Sequence, residues 1–214
     1  MPKRQPDDPR LDKYLAKRRF AVTPEPKGRK ARTPKGLPRF VIQKHDATRL
    51  HYDVRLEVSG VLVSWAVPRG PSMDPTVKRL AIRTEDHPMD YAGFEGYIPE
   101  GEYGGGPVIV WDAGIFHNLT PDRRGHVRPM EEGLERGHVK VWLEGEKLQG
   151  AWALTRTDDS REPGSSWLLV KVKDAAADPE LDPVTDEPRS ILSGRTVEDV
   201  AGDGTGGQVR DAAR

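Results

Sequence analysis

The feature that most constrains this chain is a strict two-residue alternation from Leu50 to Val58. Leu50, Tyr52, Val54, Leu56 and Val58 fall on one side, and His51, Asp53, Arg55 and Glu57 on the other. A period of two is that of a β-strand with one face in a core and one polar face. The polar face carries an imidazole, a carboxylate and a guanidinium in a row, neighbours about 7 Å apart along the strand. His45 approaches from the preceding segment Lys44-His45-Asp46-Ala47, which reads as turn-prone. Two imidazoles and one carboxylate suit a first-row divalent metal, because neutral nitrogen and anionic oxygen bind manganese, iron or zinc. Three protein ligands leave positions open for water or substrate, as catalytic sites do. Arg55, one pleat further on, can grip an anion held there. A solvent-facing strand of unlike charges accounts for the same spacing, and such exposed pairs stabilise little.

The rest of the chain from Phe40 to Lys173 repeats the pattern of short strands broken by Gly, Pro and Asp. Ser59-Gly60 reads as a tight turn into the strand Val61–Val67. Lys78–Thr84 alternates again, with Leu80 and Ile82 opposite Arg79 and Arg83, and Glu85-Asp86-His87-Pro88 breaks it. Strands are also expected at Pro107–Asp112, His138–Leu143, Leu148–Thr155 and Trp167–Val172, with a short helix at Pro129–Arg136. About eight short strands, bearing Trp65, Trp111, Trp142, Trp152 and Trp167, argue for an antiparallel barrel or sandwich.

The ends differ from this middle. Residues 1–39 carry 13 Lys/Arg against 4 Asp/Glu, a net of +9, with seven prolines. They read as a basic, largely flexible arm with one short helix around Leu11–Phe20, suited to a polyanion. Residues 174–214 carry 4 Arg against 10 Asp/Glu, a net of −6, and read as an acidic flexible tail. The formal charge of zero is a cancellation between unlike ends. The domain layout expected is therefore 1–39 arm, 40–173 β domain and 174–214 tail. With no cysteine there are no disulfides and no thiolate metal site. No apolar run is long enough to span a membrane and no secretion signal opens the chain, so a cytoplasmic protein is expected.

Arg79 and Arg83 share a strand face and His87 sits at that strand's end. A phosphate would be served by Arg55 and Arg79 for charge, with His87 to donate a proton to the departing oxygen. A loop histidine is more often a surface residue, and His117, His126 and His138 are read as structural or exposed. Gly101–Gly106 is not a phosphate loop: no Gly-Lys-Ser/Thr follows and a strand comes next. Metal-assisted hydrolysis is the reaction class these residues support.

The run Phe40–Glu57 (FVIQKHDATRLHYDVRLE) resembles the signature of the 3′-phosphoesterase domain of bacterial DNA ligase D. So do Ser64–Ser72 (SWAVPRGPS), Glu85–Gly96 (EDHPMDYAGFEG), Ile98–Gly106 (IPEGEYGGG), Val108–Asp112 and Leu148–Arg156, and the likeness covers roughly residues 14–173. The resemblance implies a compact β-barrel of about eight strands with a manganese (or other divalent transition metal) site on His45, His51 and Asp53. It implies removal of 3′-terminal ribonucleosides and 3′-phosphates from primer strands, healing DNA ends for non-homologous end joining. Arg55 and His87 would contact the scissile phosphate, and Arg79 and Tyr91 fall where the family has further active-site side chains. Arg18 and Glu25 stand where residues needed for the ribonucleoside step lie.

Two positions depart from the family pattern. Arg19 aligns with an acidic residue, a reversal that bears on the diesterase step, and Arg69 replaces a lysine in Pro-Lys-Gly-Pro, keeping charge but changing reach. The implied partners are duplex DNA 3′ ends and, in bacterial end joining, Ku, ligase and polymerase components, with a nucleoid-associated monomer expected. Pro188–Val200 resembles the segment that follows this domain in multidomain ligases. With no ligase or polymerase motif after it, the chain reads as a stand-alone phosphoesterase or an excised domain. The competing expectation is a non-catalytic DNA-end adaptor that recruits ligase or polymerase.

Overall fold

The computed structural model describes residues 8–28, 36–157 and 165–204, and the backbone of 206–209. Its strands are β1 (Arg39–Asp46), β2 (Leu50–Val58), β3 (Val61–Val67), β4 (Arg79–Arg83), β5 (His87–Pro88), β6 (Phe94–Ile98), β7 (Gly106–Asn118), β8 (His138–Gly145), β9 (Gln149–Arg156), β10 (Ser166–Lys171) and β11 (Gly206–Val209). Short helices are α1 (Asp12–Ala16), α2 (Met130–Arg136), α3 (Pro183–Asp186) and α4 (Val197–Gly202). Eight strands close an antiparallel barrel in the order β1-β2-β3-β4-β10-β9-β8-β7, with β7 returning to β1. Closure leaves no unpaired edge in the ring. The two-residue turn Ser59-Gly60 joins β2 to β3, both residues at positive φ (50° and 83°), the twist a tight hairpin needs.

The apolar side of β2 fills the barrel. Tyr52, Val54, Leu56 and Val58 meet Trp65, Trp111, Trp152 and Trp167 in one buried cluster, so the interior is solid. Trp142 is only half-buried. On β4, Ala81 faces this core and Leu80 is 48% exposed; the small residue, not the larger apolar one, points inward.

A second apolar layer lies outside the wall. Val41, Leu62, Val108 and Val110 are covered by Tyr14, Met89, Tyr91, Phe94 and Ile98. This layer changes the expectation of a half-buried β2: from Tyr52 to Val58 the strand is buried on both faces.

The expectation of a largely flexible arm does not describe residues 8–28. Leu11 and Tyr14 are buried, and the Tyr14 hydroxyl donates to Pro26 O at 2.5 Å. The arm's cations find carboxylates on distant elements: Lys17 and Arg18 on Glu85 at 2.9 and 3.1 Å, and Arg19 on Glu102. Composition alone reads such charge as a solvated tail; here it is paired. The acidic segment after Lys173 also packs down as far as residue 204. Val197 and Val200 cover Ile109. Trp111 Nε1 and Lys147 Nζ donate to Glu187 O at 2.6 and 3.0 Å. Residues 1–7, 29–35 and 210–214 of the expected arm and tail lie outside the described residues. No helix among the described residues is long and apolar enough to cross a membrane.

Candidate metal centre and phosphate pocket

The outward row of β2 is where the chemistry collects. β1 pairs with β2 so that His45 lies opposite His51, Gln43 opposite Asp53 and Val41 opposite Arg55. His45 is thus on a strand rather than in a turn, and the pairing sets the two imidazoles side by side, ring centres 4.7 Å apart and tilted 50° to one another. His45 Nδ1 stands 3.7 Å from Asp53 Oδ2, and His51 Nε2 stands 3.8 Å from Oδ1. The ligand atoms of all three residues lie within 4.8 Å of one another.

The remaining imidazole nitrogens are fixed by backbone. His45 Nε2 meets Gly104 O at 2.8 Å, and His51 Nδ1 meets Arg49 O at 2.8 Å. A carbonyl only accepts, so those nitrogens carry hydrogens, and the other ring nitrogen of each histidine is the one turned toward Asp53. Orientation of ligating histidines by outer carbonyls is how metal sites set the tautomer. The donor set, its convergence and this support fit a divalent transition metal.

Gly104 holds its place by being glycine: its φ is 74°, and a Cβ there would lie 3.3 Å from His45 Cε1. The Gly-rich stretch before β7 is therefore a turn that carries a support for His45.

Asp53 also accepts from Arg55 Nη2 at 3.0 Å. Burial alone would raise this carboxyl's pKa; the Arg55 guanidinium and the two imidazoles outweigh burial and hold it well below the usual range. Arg55 donates further to Gln43 Oε1 at 2.8 Å and to Ser64 Oγ at 2.9 Å, and its guanidinium lies 4.9 Å from the Tyr91 ring centre.

His87 Nδ1 lies 2.9 Å from Glu85 O and 2.9 Å from Arg55 Nη1, with Nε2 3.2 Å from Arg18 Nη2. Burial, then Arg55 and Arg18, push its pKa well below the ordinary 6.5. It therefore stands neutral in the free pocket.

The arm forms the other wall. Arg18 Nε donates to Glu25 Oε1 at 2.8 Å, and Tyr91 OH donates to the same oxygen at 2.9 Å. Burial and Glu25 raise the Tyr91 pKa well above 10. The side chains of Arg18, Glu25 and Glu85 are all nearly dry. Removing one partner of such a pair costs about 3–5 kcal/mol, because the other charge is stranded.

One cavity of about 170 Å³ thus brings together His45, His51, Asp53, Arg55, His87, Tyr91, Arg18 and Glu25. Arg79 and Arg69 are not brought to it; they line a separate recess with Pro68, Lys78 and Leu80. Thr84, past the far end of β4, is the residue that reaches the pocket. A five-residue strand spans about 13 Å between its end residues, so closeness in sequence to His87 did not mean closeness in space. Arg19 is exposed and paired to Glu102 outside the cavity. His117, His126 and His138 have partners of their own, Glu144, Asp122 and Thr155.

Sequence reasoning gave no role to Glu85, Lys17, Gln43, Ser64 or Tyr103. The signal for Glu85 was the arm itself, whose cations need carboxylates. Gln43 and Ser64 become legible only once β1 and β3 are set beside Arg55.

Residues 43–156 match the family described as the DNA Ligase D 3'-phosphoesterase domain. The chain is similar to the multifunctional non-homologous end joining protein LigD of Pseudomonas aeruginosa, 52% identical over 195 residues, covering 90% of this chain and 22% of that protein. It is 44% identical over 170 residues to the LigD of Mycobacterium tuberculosis, covering 77% of this chain and 20% of that protein. The Mycolicibacterium smegmatis LigD is 41% identical over 171 residues, 77% of this chain and 21% of that protein. The chain thus spans about a fifth of the length of the curated relatives it matches. On this match, and on a barrel wall built as described, the chain belongs to the DNA ligase D 3′-phosphoesterase domain family.

Proposed function

We propose that this domain is a metal-dependent phosphoesterase that heals DNA 3′ ends. It removes 3′-phosphates and 3′-terminal ribonucleosides from primer strands, leaving the 3′-hydroxyl that a ligase needs in non-homologous end joining. The observation that carries this reading is the convergence, in one partly open pocket, of a metal-type triad with Arg55, His87 and Arg18. The family and the names of its relatives support action at DNA ends in non-homologous end joining. Ku, ligase and polymerase components are the partners this reading implies.

His45, His51 and Asp53 would hold manganese or another divalent transition metal. The chemistry such an ion supplies is Lewis-acid polarisation of a phosphoryl oxygen. Arg55 is positioned before substrate arrives. A guanidinium has five N–H donors; Gln43, Ser64 and Asp53 accept from three of them, and a hydrogen on Nη2 is left for a phosphate oxygen. Burial, then repulsion from Arg55 and Arg18, keeps His87 neutral, and an anion bound between the two arginines relieves the second of these. His87 is then ready to hydrogen-bond the departing 3′-oxygen. Glu25 and Tyr91 fix Arg18 on the arm side, which ties the ribonucleoside step to the arm. The site of action is the cytoplasm, at the nucleoid, as a monomer.

The test is a duplex primer–template ending in a 3′-phosphate, incubated with manganese and either wild type or His51→Ala. A second primer ending in one ribonucleotide runs alongside. Phosphate release by wild type and its loss in His51→Ala is the expected result. If wild type binds the duplex and leaves both ends intact with several metals, the domain is a DNA-end adaptor instead.

A further inference from the structure

The pocket that holds the phosphate groups is too small for a nucleotide. Its volume of about 170 Å³ falls below the ~300–1,000 Å³ that encloses a drug-sized ligand. A phosphate and adjoining sugar atoms fit, and the base attached to them must lie on the rim. Among the described residues one aromatic side chain is exposed, Tyr103 at 50%, and it lines this same pocket.

Its ring is held rather than loose. The hydroxyl accepts from Lys17 Nζ at 3.0 Å, and Lys17 is itself tied to Glu85 Oε2 at 2.9 Å. Lys17 Nζ lies over the ring at 4.2 Å from its centre and the Arg18 guanidinium at 5.7 Å, so cations accompany the aromatic surface, as they do where single-stranded nucleic acid is bound, while the residue stays 50% exposed. The next residue, Gly104, gives its carbonyl to His45, placing the ring one residue from the metal centre's support.

From this arrangement we propose that Tyr103 is the stacking platform for the base of the nucleotide bearing the scissile 3′-phosphate. This rests on the phosphoesterase reading and deepens it: the domain recognises a nucleoside 3′-phosphate by its base face, without reading base identity.

Two measurements test it. In kinetics on a 3′-phosphate primer, Tyr103→Ala raises KM by about 5- to 150-fold, the span of one base–aromatic stack, with kcat little changed. Tyr103→Phe, which keeps the ring and loses the hydroxyl, stays near wild type. A primer whose terminal nucleotide is abasic binds wild type weakly and is indifferent to Tyr103→Ala. In the second measurement, 2-aminopurine replaces the terminal base and metal is removed by a chelator. Saturating wild type or Tyr103→Phe quenches its fluorescence, and Tyr103→Ala does not.

The proposal is overturned if Tyr103→Phe is as impaired as Tyr103→Ala, if the abasic primer feels Tyr103→Ala as strongly, or if quenching survives the alanine. Quenching by wild type that turns nothing over under any metal supports the stacking platform and defeats the phosphoesterase reading alone.

Discussion

Replacing Gly104 by alanine should weaken the metal centre without touching any of its ligands. Gly104 sits at φ 74°, where a Cβ costs about 1–2 kcal/mol. In a chain of this size that lowers the melting temperature by roughly 2–8 °C. The added methyl would also stand 3.3 Å from His45 Cε1, tighter than ordinary contact, so His45 must shift by a few tenths of an ångström. Its Nε2 bond to Gly104 O then lengthens or bends, and loss of such an outer partner costs about 10- to 100-fold in metal affinity. Gly101→Ala separates the two effects. Gly101 has a similar φ, 83°, but open space where its Cβ would go. Both variants should lose comparable stability by thermal unfolding of the metal-free protein, and only Gly104→Ala should lose manganese affinity by calorimetry. Equal losses of affinity in the two variants, or none in Gly104→Ala, would refute the claim that this carbonyl orients His45.

Other perturbations follow from the same contacts. Glu85 has its carboxyl below the ordinary 4.5: burial opposes the shift, and Lys17 and Arg18 prevail. A depressed acid stabilises above its unfolded pKa and loses that contribution as pH falls through the folded one, so arm docking should persist at pH 5 and weaken only as pH falls below the ordinary 4.5. Protease sensitivity of residues 8–28 across that range checks it, and Glu85→Gln should make docking weak at every pH. Trp65→Ala, at the centre of the barrel, should cost about 3–5 kcal/mol in urea unfolding. Arg19→Ala removes the exposed partner of Glu102 and lies outside the cavity, so it should leave phosphate release intact.

The alternation of β2 carried most of what the sequence could say about the site, because strand periodicity alone places His51, Asp53 and Arg55 on one face. The triad's third member needed more. Whether His45 meets His51 depends on the register of β1 against β2, which runs without a shift from Phe40 opposite Leu56 to Asp46 opposite Leu50. The alternation within β2 does not by itself set that register. The arm was misjudged for a similar reason: charge density predicts solvation only when the opposite charges are elsewhere, and Glu25, Glu85 and Glu102 were waiting on the arm and on two loops. Arg79 was grouped with His87 through sequence proximity, whereas the strand between them points their side chains to different recesses. Tyr103 lies within the Ile98–Gly106 run, but nothing there gave it a role; its position beside Gly104 became meaningful only with the fold.

Because β2 gives its even residues to the barrel interior and its odd residues to the pocket, the two are locked in one reading frame. A single inserted or deleted residue between His51 and Leu56 would put histidine and aspartate among the tryptophans, and leucine where the phosphate belongs. Point changes in the pocket can therefore drift without disturbing the core. Length changes in this strand cannot, whereas in the mostly exposed loop at 121–127 an added residue would meet solvent and shift neither face.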